Sequence, residues 1–179
     1  MTRIINIWGG PGVGKSTVAS GLYHEMKKLD YSVEYVTEYA KDLVWEGTQS
    51  LLENQLHIFS EQYRKQFKLL GNVDYIVTDS PIALSCIYYD LYNDKSRRYN
   101  AEYSNLSKHF FLETFRQFQN LNYYLPRQTK YNPSGRVENE NAAKEVDRLI
   151  HEFLEKNITD YQTLDIKNSI PFILRGIRV

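Results

Sequence analysis

This 179-residue sequence predicts an α/β fold, a parallel sheet flanked by helices, on three observations. Arg3 to Trp8 (R-I-I-N-I-W) is a mostly apolar strand that runs directly into the glycine-rich stretch Gly9 to Thr17. Short apolar strands then alternate with segments of helical periodicity along the rest of the chain. Two carboxylates, Glu38 and Asp79, stand at the C-terminal ends of strands, the edge beyond which parallel sheets bind ligands. One cleft would therefore gather the glycine-rich loop, Glu38 and Asp79.

After the first strand, Val18, Ala19, Leu22, Met26 and Leu29 recur at helical spacing, so a helix begins at Lys15. Ser32 to Thr37 (S-V-E-Y-V-T) predicts a second strand, ending in Glu38-Tyr39-Ala40. A polar, partly helical stretch with Trp45 and Gly47 leads to a long helix with Leu52, Leu56, Phe59, Tyr63, Phe67 and Leu70 on one stripe. Tyr75 to Thr78 is a short buried strand, and a helix over Ala83 to Tyr92 follows. The tyrosine-rich residues Asn93 to Ser104 read as a surface excursion. A helix over Leu106 to Asn120 and a strand over Asn122 to Leu125 come next. Pro126 to Asn139, punctuated by Pro133 and Gly135, reads as a lid-like loop, here bounded at about 126–140. A last long helix covers Asn141 to Lys156, and the tail adds strands near Tyr161 to Ile166 and Phe172 to Leu174. The whole of 1–179 is expected to be one domain.

The loop itself fits G-x-x-x-x-G-K-[ST], the Walker A or P-loop spacing. Gly10, Pro11, Gly12, Val13, Gly14, Lys15, Ser16 and Thr17 would cradle phosphate oxygens with inward-pointing N–H groups. Lys15 reaches the β- and γ-phosphates in this arrangement, and the Ser16 hydroxyl holds Mg²⁺, so ATP and Mg²⁺ are the expected cofactors. The N-terminus of the first helix adds a dipole that favours negative charge.

Asp79, at the end of an apolar strand, is placed to hold Mg²⁺ through water; its other reading is a helix N-cap ahead of Pro81. Glu38 is placed to accept the proton of an acceptor hydroxyl, against the plainer reading of a solvated glutamate. Arg127 and Arg136 fall in the lid-like loop, where they either neutralise charge on the transferred phosphoryl group or remain solvated cations. Lys130 and Arg148 read as solvated or structural charges. Tyr39, Trp45, Gln55, Phe59, Gln62 and Tyr63 are spaced so that several can line one pocket. An aromatic stripe of that kind is more often core, the favoured reading for Phe59 and Tyr63.

Lysine plus arginine equals aspartate plus glutamate, at 22 each, so no global field recruits nucleic acid or a membrane. Cys86 is the only cysteine, which excludes a disulfide framework and a cysteine zinc cluster. The four histidines are scattered. With neither a signal-like segment nor a membrane-length apolar run, the expected compartment is the cytoplasm. The chain lacks an Asn-Lys-x-Asp guanine signature, and it is short for an AAA+ motor with its added helical lid domain.

The P-loop, Glu38-Tyr39-Ala40, the glutamine-bearing helix and Asp79-Ser80-Pro81 together resemble P-loop kinases of the NadR-like group. That group includes nicotinamide riboside kinase domains and phage-encoded ATPase/kinase proteins of AAA type. The late Ser134-Gly135-Arg136, followed by Ala143, Asp147 and Ile150, fits the same order of motifs. Val36 to Leu52 is also similar to deoxynucleoside kinases, and this likeness implies Glu38 as base with Trp45 and Gln55 as substrate contacts. At Asp79-Ser80-Pro81 the sequence departs from both, because deoxynucleoside kinases carry Glu-Arg-Ser there and thymidylate kinases Asp-Arg. The resemblance implies a P-loop NTPase fold of nucleoside or nucleotide kinase type. The implied reaction is ATP-dependent phosphoryl transfer to a nucleoside- or nucleotide-like acceptor. A hydroxymethylated base in DNA and a nucleotide switch without an acceptor are the competing readings. Host cytoplasm would be the compartment for a phage gene, and a homodimer is left open.

Overall fold

The computed structural model of the protein describes residues 1–96, 101–128 and 139–177. Among these, five strands form one all-parallel sheet: β1 (Arg3–Trp8), β2 (Val33–Val36), β3 (Tyr75–Thr78), β4 (Gln119–Tyr124) and β5 (Tyr161–Thr163). Their spatial order is β2-β3-β1-β4-β5, with Arg3 of β1 in register with Tyr75 on one side and Gln119 on the other. The helices are α1 (Lys15–Lys28), α2 (Tyr39–Trp45), α3 (Gln55–Phe67), α4 (Leu84–Ser96), α5 (Ala101–Arg116), α6 (Glu140–Asn157) and α7 (Ser169–Ile177), with a 3₁₀ turn at Gln49–Glu53.

A parallel sheet is stable only when both faces are covered, and alternation along β1 shows how this one is. Ile5 and Ile7 face a core made with Leu22 and Met26 of α1 and Ile173 and Ile177 of α7. Ile4, Asn6 and Trp8 point the other way. Trp8 packs edge-on against Phe115 at 5.7 Å, in a core shared with Phe59, Phe111 and Ile150. A buried polar seam crosses this second face. Asn6 Nδ2 donates to Asn120 Oδ1 (2.9 Å) and Asn122 Oδ1 (3.2 Å), and Trp8 Nε1 donates to the same Asn122 oxygen at 3.0 Å.

Four expectations change. The stripe on α3 is rotated, with Leu52 in the 3₁₀ turn and Phe67 exposed, while Gln55, Ile58, Phe59, Gln62 and Gln66 are buried. The Asn54 side chain accepts from His57 N–H and so starts the helix at Gln55. Where the surface excursion was expected, the described residues are helical: α4 runs to Ser96 and α5 begins at Ala101, carried by buried Ser107, Phe111 and Phe115, while residues 97–100 lie outside the described residues. The helix expected to reach Asn120 stops at Arg116. The Asn120 side-chain amide donates to the Phe115 and Phe118 carbonyls and β4 begins at Gln119. Finally, Phe172–Leu174 is helix, not strand. Ile170, Ile173 and Ile177 lie at i, i+3 and i+7 and pack on α1 so closely that a Cβ on Gly21 would stand 2.7 Å from Ile170. Pro171 falls in the first turn, where its missing N–H costs nothing.

The polar seam yields a stability prediction. Asn122→Leu strands the buried Trp8 indole N–H and should lower unfolding free energy by about 1–3 kcal/mol in urea titrations. Adding Trp8→Phe to that variant removes the stranded donor. The double-mutant cycle should then show coupling well outside additivity.

Candidate functional site

Two backbone devices at the sheet's C-terminal edge present the chemistry. Gly14 closes the loop at φ +103° as the residue preceding α1, a conformation that a side chain disfavours. Gly10 is needed for a different reason, because a Cβ there would collide with the Asp147 carboxylate of α6. Lys15 Nζ lies back over the loop and donates to the Gly10 carbonyl at 3.0 Å. Thr17 is exposed, whereas the Val13 side chain is buried in the core, which leaves only its backbone for the loop.

The direct pairing of β1 with β3 sets Asp79 beside the P-loop. Thr78 Oγ1 donates to the Val36 carbonyl (3.0 Å) and accepts from Ser80 N–H (3.1 Å), pinning the backbone on both sides of Asp79. α4 starts at Leu84, five residues further on, which removes the N-cap reading of Asp79. Asp79 is 2% exposed, and its Oδ1 has no hydrogen-bond partner among the described residues. Such a buried, unsatisfied carboxylate oxygen suits a cation. Tyr35 of β2 reaches the same spot. Burial first, then the Asp79 and Glu38 carboxylates, push its phenol far above the usual range, while the Ser16 hydroxyl acts in the opposite direction. No cluster of three or more His, Cys, Asp or Glu side chains suited to a metal occurs among the described residues. That sparse donor set fits Mg²⁺, which is commonly held by one or two protein groups together with nucleotide phosphates and water.

Glu38 precedes α2 in extended conformation. Gln62 of α3, 3% exposed, holds the chain on either side of it: Oε1 accepts from Tyr39 N–H at 2.9 Å and Nε2 donates to the Thr37 carbonyl at 3.3 Å. The cleft in front is open to solvent and runs from Pro11 and Lys15 past Glu38 to a mixed wall that includes Gln55, Ser85 and Tyr88. The Gln55 amide nitrogen donates to the Leu52 carbonyl (2.7 Å), so its oxygen and second N–H are the groups left for a ligand.

Of the residues expected at the site, Pro11, Lys15, Glu38 and Gln55 line this cleft, and Ser16 and Asp79 meet around Tyr35 beneath it. Tyr39 is not brought in. Its hydroxyl pairs with His57 Nε2 at 3.0 Å. Trp45 is also elsewhere, 68% exposed at the end of α2. Phe59 and Tyr63 belong to the core, with Phe59 stacked on Phe111 at 4.5 Å. Arg127 stands behind the P-loop, paired with Asp147 (Nε to Oδ2, 2.6 Å) and donating to the Pro11 carbonyl at 2.7 Å. Arg136 and Lys130 lie outside the described residues, as does most of the lid-like loop. Lys41 and Tyr35 were missed in the sequence. Lys41 was findable as the residue one helical turn after Glu38, and Tyr35 as an alternate residue of a strand ending at the site.

No described helix is long and apolar enough to cross a membrane. Among solved structures, deoxyadenosine kinase from M. mycoides with bound dATP is similar over 98% of this chain and 100% of that one, with TM-score 0.63 and 18% identity. The same kinase with products dCMP and a flexible dCDP matches over 98% of both chains at 0.65 and 17%. NadR protein in complex with NR matches at 0.67 and 15%, over 94% of this chain and 45% of that chain. These likenesses show the fold expected from the motifs, a parallel sheet flanked by helices of P-loop NTPase type. Among curated proteins, disease resistance protein RRS1 of Arabidopsis thaliana is 35% identical over 54 residues, 30% of this chain and only 4% of that protein. A family model described as an AAA domain matches residues 4–171. By that match, which runs from β1 into α7, the chain belongs to the AAA domain family.

Proposed function

We propose that the protein is an ATP- and Mg²⁺-dependent kinase that transfers the γ-phosphoryl group to a hydroxyl of a nucleoside- or nucleotide-like acceptor. The observation that carries this reading is the shared cleft of Lys15 and Glu38, which continues past Glu38 along a mixed wall of Gln55, Ser85 and Tyr88. A site built only to hydrolyse nucleotide needs no such extension. The two M. mycoides structures and the NadR complex are named for a nucleoside kinase and for a protein with bound NR, which is consistent with an acceptor of this class.

In this mechanism the P-loop N–H groups and Lys15 hold the β- and γ-phosphates. Ser16 and Asp79 would hold Mg²⁺, which neutralises charge shared between those phosphates when bound with the nucleotide. Glu38 orients the acceptor hydroxyl and takes its proton. The acceptor oxygen bonds to the γ-phosphorus, the bond from that phosphorus to the β,γ-bridging oxygen breaks, and ADP leaves. Gln62 acts as a positioning residue for Glu38, and the Arg127–Asp147 pair braces the P-loop from behind. Residues 1–179 are read as one catalytic domain.

Incubation with γ-labelled ATP and Mg²⁺ against deoxynucleosides, nucleoside monophosphates, nicotinamide riboside and DNA, with and without hydroxymethyluracil, tests the reading, with Lys15→Ala as blank. Label on a small molecule supports it. Label on DNA alone moves the acceptor to an open groove, and free phosphate alone makes the protein an ATPase. Glu38→Gln should bind ATP as the parent does while kcat drops by about 10²–10⁴-fold. Gln62→Leu should lower kcat by about 10–100-fold with KM for ATP unchanged, since small misplacements of a catalytic group are costly. In the same variant the Tyr39 amide should lose its protection against hydrogen exchange while amides of β1 keep theirs.

A further inference from the structure

Partly buried lysines among the described residues obey a rule with one exception. Four lysines are partly buried among the described residues: Lys15, Lys41, Lys65 and Lys108. Lys65 pairs with Asp42 at 2.6 Å, Lys108 pairs with Asp90 at 2.7 Å, and Lys15 rests on the Gly10 carbonyl within the P-loop. Lys41 has no carboxylate or carbonyl partner among the described residues, and it lines the cleft. A lysine whose stem is partly covered while its ammonium faces a cleft without a counter-charge is placed to meet an anion that enters it. Arg127, by contrast, is engaged by Asp147, so Lys15 and Lys41 are the two cations among the described residues that line the cleft.

Its position along α2 gives the missing charge a distance. Glu38, Lys41 and Val44 all line the cleft and follow one another at single-turn intervals. From the P-loop end the wall therefore reads acid, cation, apolar. Three helical residues rise about 4.5 Å. An acceptor whose hydroxyl meets Glu38 would carry its next functional group at Lys41 and its apolar part near Val44.

We infer that Lys41 is a specificity-determining residue that pairs with a phosphate already carried by the acceptor, about one helical turn from the hydroxyl that is phosphorylated. This deepens the kinase reading above and rests on it. Lysine suits a phosphate because it acts as a mobile point charge, where a bidentate carboxylate contact would call for arginine. The acceptor class is then a phosphorylated nucleoside with a free hydroxyl, rather than a neutral nucleoside. A positively charged base would be disfavoured by the same lysine. A nucleoside 3′-phosphate and the 5′-hydroxyl end of an oligonucleotide share this chemistry.

The test is equilibrium binding by calorimetry to the full chain saturated with Mg²⁺ and a non-hydrolysable ATP analogue, so that the P-loop is already filled. The ligands are the four deoxynucleosides, their 3′-monophosphates, and trideoxynucleotides with a free 5′-hydroxyl. The proteins are wild type, Lys41→Met and Lys41→Arg. For at least one base the phosphate-bearing ligand should bind wild type about 10–100-fold tighter than its parent nucleoside, the range expected of one charge-assisted contact. That advantage should collapse in Lys41→Met and return largely in Lys41→Arg. Tighter binding of the mononucleotide or of the oligonucleotide identifies the source of the phosphate. Equal binding of parent and phosphorylated ligands to wild type, no binding of any of them, or an advantage that survives Lys41→Met, overturns the assignment. Label transfer from ATP to the same ligands separates the two claims. Lys41-dependent binding without transfer sinks the kinase reading and spares the lysine. Transfer to neutral nucleosides at a rate indifferent to Lys41 does the reverse.

Discussion

The parallel pairing of β1 with β3 is the constraint on which the site depends. It sets the end of the P-loop strand and the end of the Asp79 strand side by side, and β2, on the outer side of β3, adds Glu38 next in line. Each strand delivers its functional group through the backbone that follows it. The site is therefore only as exact as the register of three strands and the few side chains that hold their exits. Thr78 secures one exit and Gln62 another, while Asp147 and Arg127 back the third. On the kinase reading proposed above, none of these four needs to touch a phosphate to matter, because a phosphoryl-transfer site is mainly an arrangement of fixed charges and N–H groups.

Glutamine and asparagine do much of this work in places where aliphatic side chains would be ordinary. Gln55 and Gln62 lie on the buried face of α3, and Asn6 and Asn122 lie inside the sheet. Buried amides are tolerated when they are hydrogen-bonded, and the observed partners of Gln55 and Gln62 are backbone groups at the rim of the cleft. The amphipathic pattern of α3 is thus bent toward function. Its inward face is partly a rack for polar groups.

Much of the fold was legible because β1, α1, β3 and α6 carry strong local signals: apolar runs, a glycine-rich turn and clean helical spacing. For the candidate site, the common location of Lys15, Ser16, Glu38 and Asp79 at the strand ends was legible, because position there is tied to backbone. The site was illegible where side-chain direction decides. Trp45 and Tyr39 follow Glu38 closely, but α2 turns them away from the cleft and turns Lys41 toward it. On α3, Leu52 and Phe67 fit a helical stripe, yet the 3₁₀ turn and the Asn54 cap change the phase of the helix. The tail misled for a related reason. A short apolar run such as Phe172–Leu174 does not distinguish strand from helix by composition, and only the packing of α7 on the glycine of α1 settles the matter.

The hydrogen bonds of Gln62 have one more consequence. β2 is an edge strand, and its final carbonyl and N–H groups would otherwise face outward as an unfinished ladder. The side-chain amide that meets Thr37 and Tyr39 offers one acceptor and one donor in the pattern of a peptide unit from a neighbouring strand. A single residue of α3 thereby stands in for a sixth strand at the one rung where it is needed. The segment bearing Glu38 is held as a neighbouring strand would hold it, while remaining outside the sheet.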